Sequence, residues 1–196
     1  MLEFAAAVFF LIITPGPGVL STAGVGAAYG YRNGLAYVAG LWVGNNVVMG
    51  LVISGIAAAT LAIPSLRTIL LFGSIGYLLW LASRIALAGT RIGFIEPRKP
   101  LGFWSGLALQ PINPKAYAVS TTLFSGFAFL PNALGMETVI KILIMNIVWI
   151  PIHLLWLWAG VTLRSLNLKP GTQRFINIAM ATAMILVVGL ALLAQS

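Results

Sequence analysis

Thr14-Pro15-Gly16-Pro17-Gly18 interrupts an uncharged run that extends from Phe4 to Tyr31. A helix crossing the hydrocarbon core of a bilayer needs roughly 20 predominantly apolar residues, and the run supplies them. Its middle cannot be regular helix. Each Pro removes a backbone donor and clashes with the preceding turn, and each Gly loosens the chain further. In hydrocarbon, the backbone groups freed in this way must be satisfied by protein or by a water-lined cavity. The stretch therefore reads as a helix start where none belongs, with Thr14 as N-cap and Pro15 at the first helical position.

The same interruption recurs at Gln110-Pro111-Ile112-Asn113-Pro114-Lys115, where Asn113 and Pro114 repeat the pairing of a capping residue with proline. Working outward from these breaks, the uncharged runs predict helices near 2–30, 34–60, 66–89, 102–127, 137–163 and 172–194. The expected fold is an all-α integral membrane protein of six transmembrane helices, with helices one and four broken. The chain forms one polytopic domain, 1–196, of two halves, 1–98 and 99–196. A three-helix unit contains an odd number of spans, so its duplicate must insert upside down. Discontinuous helices at matching places in inverted repeats point to a secondary-transporter site near the midplane.

Composition agrees with that class. Of 196 residues, 60% are hydrophobic and 7% are charged, against about 25% charged in a soluble domain. Disorder requires low hydrophobicity, and barrel strands alternate polar with apolar residues; continuous apolar runs exclude both. The net charge of +8 is spread singly between the runs and forms no nucleic-acid-binding face. Arg32, Arg84, Arg91, Arg98, Lys99, Arg164, Lys169 and Arg174 fall in connections one, three and five, while Arg67 and Lys141 fall on the other side. The positive-inside rule places connections one, three and five in the cytoplasm and both termini outside. Glu3 in place of a basic leader argues against a cleaved signal peptide.

Four polar positions inside the spans are candidate contacts for a solute. Lys115 follows 14 uncharged residues, Leu101–Pro114. An ammonium at the bilayer centre costs about 2.5–3.5 kcal/mol on insertion scales, so it must face the interior. It either grips a substrate carboxylate or ties down carbonyls freed by Pro111 and Pro114. Asn45 and Asn46 either bond across a small-residue helix interface or offer an amide to a substrate. His153 is either a satisfied core residue or, with an ordinary pKa of ~6.5, a proton carrier. Gly26, Gly30 and Gly34 at spacing four suit close helix packing and a homodimer.

What is missing excludes other classes. There is no Cys, no Asp and a single His. Thiol redox chemistry is excluded, and no metal set or Ser-His-Asp constellation can be assembled. No catalytic residue, metal or other cofactor is expected. A non-transporting membrane scaffold remains the alternative, with a membrane-embedded enzyme behind it.

These motifs resemble the LysE/RhtB amino-acid exporters. The resemblance rests on Thr14-Pro15-Gly16-Pro17, the Gly-rich second span Gly34 to Gly50, and Gly76-Tyr77-Leu78-Leu79 in the third. It rests also on Gly106-Leu107 followed by Asn113-Pro114-Lys115-Ala116 in the fourth. It covers essentially the whole chain and implies a bacterial inner-membrane exporter of amino acids or related metabolites, driven by the proton motive force. Members commonly carry Asp at the position matching Asn45. Its absence here tells against a cationic substrate and against proton coupling at that position. The expectation is proton-driven alternating access for a neutral small molecule in a lipid-embedded protein. Thr14, Pro15, Gly16, Pro17, Gly18, Asn45, Asn46, Asn113, Pro114 and Lys115 are the expected substrate contacts, and His153 and Lys115 the proton-coupling candidates.

Overall fold

Helices occupy the first five predicted spans, and the described residues of the sixth are helical as well. The structure, a computed structural model, describes residues 1–14, 16–55, 57, 62–87, 100–166, 169, 171, 172, 174–176, 178, 179, 181, 182, 185 and 186. The regular elements among them are α1 (Leu2–Ile13), α2 (Pro17–Ile53), α3 (Pro64–Ala86), α4 (Phe103–Ile112), α5 (Pro114–Ser125) and α6 (Leu134–Ser165). No strand occurs among the described residues. Pro15, the Arg91–Lys99 connection and much of the predicted sixth span lie outside them.

Both predicted breaks are present. The first span divides into α1 and the start of α2, and the fourth into α4 and α5. Asn113 is the expected N-cap: its side chain accepts a hydrogen bond from the backbone N–H of Lys115 at 3.1 Å, with Pro114 at the first helical position. Thr14 is not an N-cap. The next helix starts at Pro17, capped by Gly16 in extended backbone. Thr14 instead closes α1, its hydroxyl donating to the Phe10 carbonyl at 2.6 Å. The second proline, not the first, occupies the position where a missing N–H does no harm.

The first connection is shorter than expected. Helix α2 passes directly from the first span into the second, bent at Gly30, where φ is 79°. Side-chain-bearing residues avoid that conformation, so Gly30 is a hinge and not part of a packing stripe. The second arm ends at Ile53, short of the predicted residue 60, and Gly55 follows at φ 75°.

The remaining glycines explain how the arms of α2 pack. A Cβ on Gly40 would stand 1.9 Å from the Phe103 carbonyl oxygen, and one on Gly106 2.1 Å from that of Tyr37. The 31–53 arm and α4 thus meet backbone to backbone. The 17–29 arm meets α6 in the same way: a Cβ on Gly160 would lie 2.1 Å from the Ala23 carbonyl oxygen. Lipid offers no hydrophobic drive for helix association, so close packing of small residues supplies it. Gly26 and Gly34 both abut Leu157, and Gly44 abuts Leu107 and Gln110. These glycines face helices of their own chain.

Helix α6 runs unbroken through Pro151. Its residues Glu137, Lys141, Met145, Trp149, His153 and Leu157, at every fourth position, are all buried. Phe10, Phe72, Trp104, Ile147 and Trp158 are exposed. Large apolar side chains facing outward on several helices suit contact with lipid. Helices Pro17–Ile53 and Leu134–Leu163 are each long and apolar enough to cross a membrane.

Candidate functional site

The two breaks meet. The Lys115 ammonium, at the start of α5, donates to the carbonyl oxygen of Thr14 at the end of α1. A Cβ on Gly16 would fall 2.6 Å from Lys115 Cδ and 3.1 Å from Nζ, so only glycine lets the lysine lie across the first break. Lys115 thereby satisfies a carbonyl of the first break, not the carbonyls freed by Pro111 and Pro114 in its own span that the sequence suggested. An ammonium carries three N–H donors, and Lys115 also lines a cavity.

That cavity measures about 50 Å3 and lies between the breaks and α6. A water molecule needs roughly 10–15 Å3 on this measure, so the space holds a few waters or the polar head of a small solute. Gly16, Gly18, Asn45, Asn113, Lys115 and His153, all singled out in the sequence, line it. Leu11, Ile12, Val19, Val119, Met145 and Trp149 give it apolar walls.

Each polar wall residue is held differently. Asn113 donates from Nδ2 to Gln110 Oε1 at 2.9 Å while capping α5. The amide–amide contact fixes both side chains at the second break. His153 stacks on Trp149, ring centroids 3.5 Å apart at 14°, and its Nδ1 lies 3.0 Å from the Trp149 carbonyl oxygen. A carbonyl only accepts, so Nδ1 carries the hydrogen and Nε2 presents a lone pair. A Cβ on Gly18 would stand 3.4 Å from Nε2, which places the lone pair beside the start of α2.

Asn45 and Ser120 are 7% and 1% exposed. Both line the cavity. Ser120 and Gln110 were not among the expected contacts. The signal was available: Asn113, Ala116 and Ser120 fall on one helical face, at spacings three and four, and all are buried.

Other expected residues lie elsewhere. Asn46 points away from the cavity and forms a reciprocal amide pair with Asn146 of α6, both bonds 3.1 Å, joined by Trp42 Nε1 at 2.6 Å from Asn146 Oδ1. Pro17 is buried at the first position of α2. Thr14 meets Lys115 only through its backbone. Lys141, counted above as a boundary charge, is buried in an ion pair with Glu137 at 2.7 Å. The lysine also donates to the carbonyls of Phe124 and Phe127, and the carboxylate accepts from the N–H groups of Phe129 and Leu130. The i, i+4 Glu-to-Lys order that forms the pair is visible in sequence.

Broken helices meeting at a small cavity with several polar groups in apolar walls, in a molecule with large apolar side chains facing outward, define a helical membrane protein. The chain belongs to the LysE type translocator family, whose model matches residues 9–196. It is a translocator and not an enzyme. It is similar to the cysteine/O-acetylserine efflux protein of Salmonella paratyphi A, 34% identical over 68% of this chain and 67% of the relative. The protein of the same name from Escherichia coli O139:H28 is 28% identical over 88% of this chain and 87% of its own length. That of Escherichia coli K12 is 27% identical over the same shares. No solved structure matches the chain.

Proposed function

We propose that the protein exports small neutral amino acids or their derivatives across the bacterial inner membrane by proton-driven alternating access. The observation that carries this reading is the meeting of both helix breaks at one cavity whose lining, among the described residues, holds a lysine and no carboxylate. A zwitterion fits such a lining. Its carboxylate lies at Lys115 Nζ, between the N-terminal ends of α2 and α5, where helix dipoles add partial positive charge. Its amino group reaches Asn45, Asn113 and His153. With no acid in the lining, a second positive charge on the substrate has no partner, which favours neutral side chains over lysine or arginine. The efflux proteins named for cysteine and O-acetylserine have substrates of this size and charge.

In this reading, halves 1–98 and 99–196 form inverted repeats in a six-span protein, with connections one, three and five in the cytoplasm and both termini outside. Rocking of the halves exposes the cavity alternately. His153 and Lys115 are the groups able to couple the cycle to protons.

The test is export from intact bacterial cells preloaded with dipeptides of neutral, basic and acidic residues. Cells expressing the protein should release neutral amino acids faster than control cells. Lys115→Ala, present at equal membrane abundance, should lower release at least about tenfold, as loss of a charge-assisted contact of ~1.5–3 kcal/mol implies. Undiminished release by that variant would remove the carboxylate clamp. No release of any amino acid by the wild type would remove the exporter reading.

A further inference from the structure

We infer that the His153 Nε2 lone pair is the acceptor for the substrate's ammonium group, so that substrate and proton compete for one atom. The inference rests on the exporter reading and specifies how its site couples transport to protons. The cavity must receive an ammonium without a carboxylate, since none lines it among the described residues. A neutral acceptor is required. Nδ1 of His153 is committed to the Trp149 carbonyl at 3.0 Å, and the Trp149 stack fixes the ring plane. Nε2 is left as a lone pair beside Gly18, on the cavity wall. The Asn45 amide, also on the wall, offers an oxygen to a second ammonium hydrogen.

The charged and titratable groups facing the imidazole are few. Lys115 of α5 shares the cavity, and the surfaces contributed by α1, α2 and α4 are Leu11, Ile12, Gly16, Gly18, Val19, Asn45 and Gln110, none of which titrates. Glu137 and Lys141, on the histidine's own helix, are committed to each other.

The lone pair accepts either an N–H of the substrate or a free proton. When substrate leaves on the outer side, a proton takes Nε2 and yields imidazolium. On the inner side that proton departs and a new ammonium takes its place. No covalent bond to the substrate forms or breaks. One proton enters for each zwitterion exported, so one positive charge moves inward per cycle, and both the pH gradient and the membrane potential drive export.

The chain has one histidine, which makes the test direct. Protein with 15N-labelled histidine, reconstituted in nanodiscs, gives a single imidazole to titrate between about pH 4 and 8, the range around an ordinary histidine. The titration is run with and without L-cysteine, O-acetyl-L-serine or L-serine. The expected result is an Nδ1–H tautomer whose Nε2 signal shifts on adding probe. Half-protonation should then need about tenfold more protons for each tenfold excess of probe over its Kd. Binding reported by tryptophan fluorescence, with an unchanged imidazole titration, would overturn the inference while leaving the exporter reading intact. If no amino acid binds at all, both fall together. In proteoliposomes, His153→Gln should lose pH-driven uphill accumulation; uphill accumulation retained by that variant would also overturn the inference.

Discussion

Lys115 satisfies the Thr14 carbonyl and at the same time faces the cavity. The two roles separate at Gly16. Gly16→Ala would press a methyl group against the far end of the lysine, 2.6 Å from Cδ and 3.1 Å from Nζ. A flexible side chain yields easily, so the variant should insert and unfold much as the wild type does, within about 1 kcal/mol, below the usual penalty of overpacking. Its export should nonetheless fall severalfold, because the ammonium has been moved. Thermal unfolding in detergent beside cellular efflux checks both halves; loss of stability with normal specific export would contradict the assignment. At Glu137 and Lys141 the prediction concerns folding. Lys141→Met leaves a buried carboxylate facing the 124–130 turn without its cation, and the double variant Glu137→Gln/Lys141→Met does not. The single change should therefore lower the unfolding midpoint more than the double one. The charges were legible in sequence, but their burial was not. It depends on the 126–133 turn folding back to present carbonyls and N–H groups from Phe124 to Leu130.

At the scale of elements, backbone contact between helices makes sharp predictions about glycine. Gly160→Ala and Gly40→Ala would place a methyl group 2.1 Å and 1.9 Å from a backbone carbonyl oxygen, where nothing flexible can yield. Each should destabilise by at least the ~1–3 kcal/mol of ordinary overpacking. Gly50→Ala, with no atom within 4 Å, should be neutral or should stabilise α2 by about 0.5–1 kcal/mol. Denaturant unfolding in mixed micelles measures the contrast. The pair Asn46–Asn146 joins the 31–53 arm of α2 to α6 through two 3.1 Å bonds. A double-mutant cycle to alanine should give a coupling of about 0.6 kcal/mol and not above ~1.7 kcal/mol. Both helix breaks could be read from proline and glycine alone, because they follow from which backbone donors exist. The helix start at Pro17 in place of Pro15, and the hinge at Gly30, could not. Each is chosen by packing among several residues that local sequence leaves equivalent. Asn45 and Asn46 show the same limit: adjacent on one helix, they face different neighbours, and only the rotation of α2 against α4 and α6 assigns one to the cavity.

At the scale of the whole molecule, residues far apart in sequence converge on one small space: Gly18 and Asn45 from α2, Asn113, Lys115 and Ser120 around the second break, and His153 from α6. The class of protein was legible in composition and in the matched breaks, because lipid forces helices and makes irregular backbone rare. Ser120 shares a helical face with Asn113 and Ala116, which the sequence shows; that this face meets the cavity depends on how α5 packs in the folded chain. The most direct measurement of whether this space is the transport site uses the chain's lack of cysteine. A Ser120→Cys variant, in membrane vesicles, is modified with a small methanethiosulfonate in the presence and absence of the neutral amino acid that the cells export best. Modification should slow in proportion to site occupancy and should block export. Equal rates of modification at substrate concentrations that saturate export would show that the solute passes elsewhere.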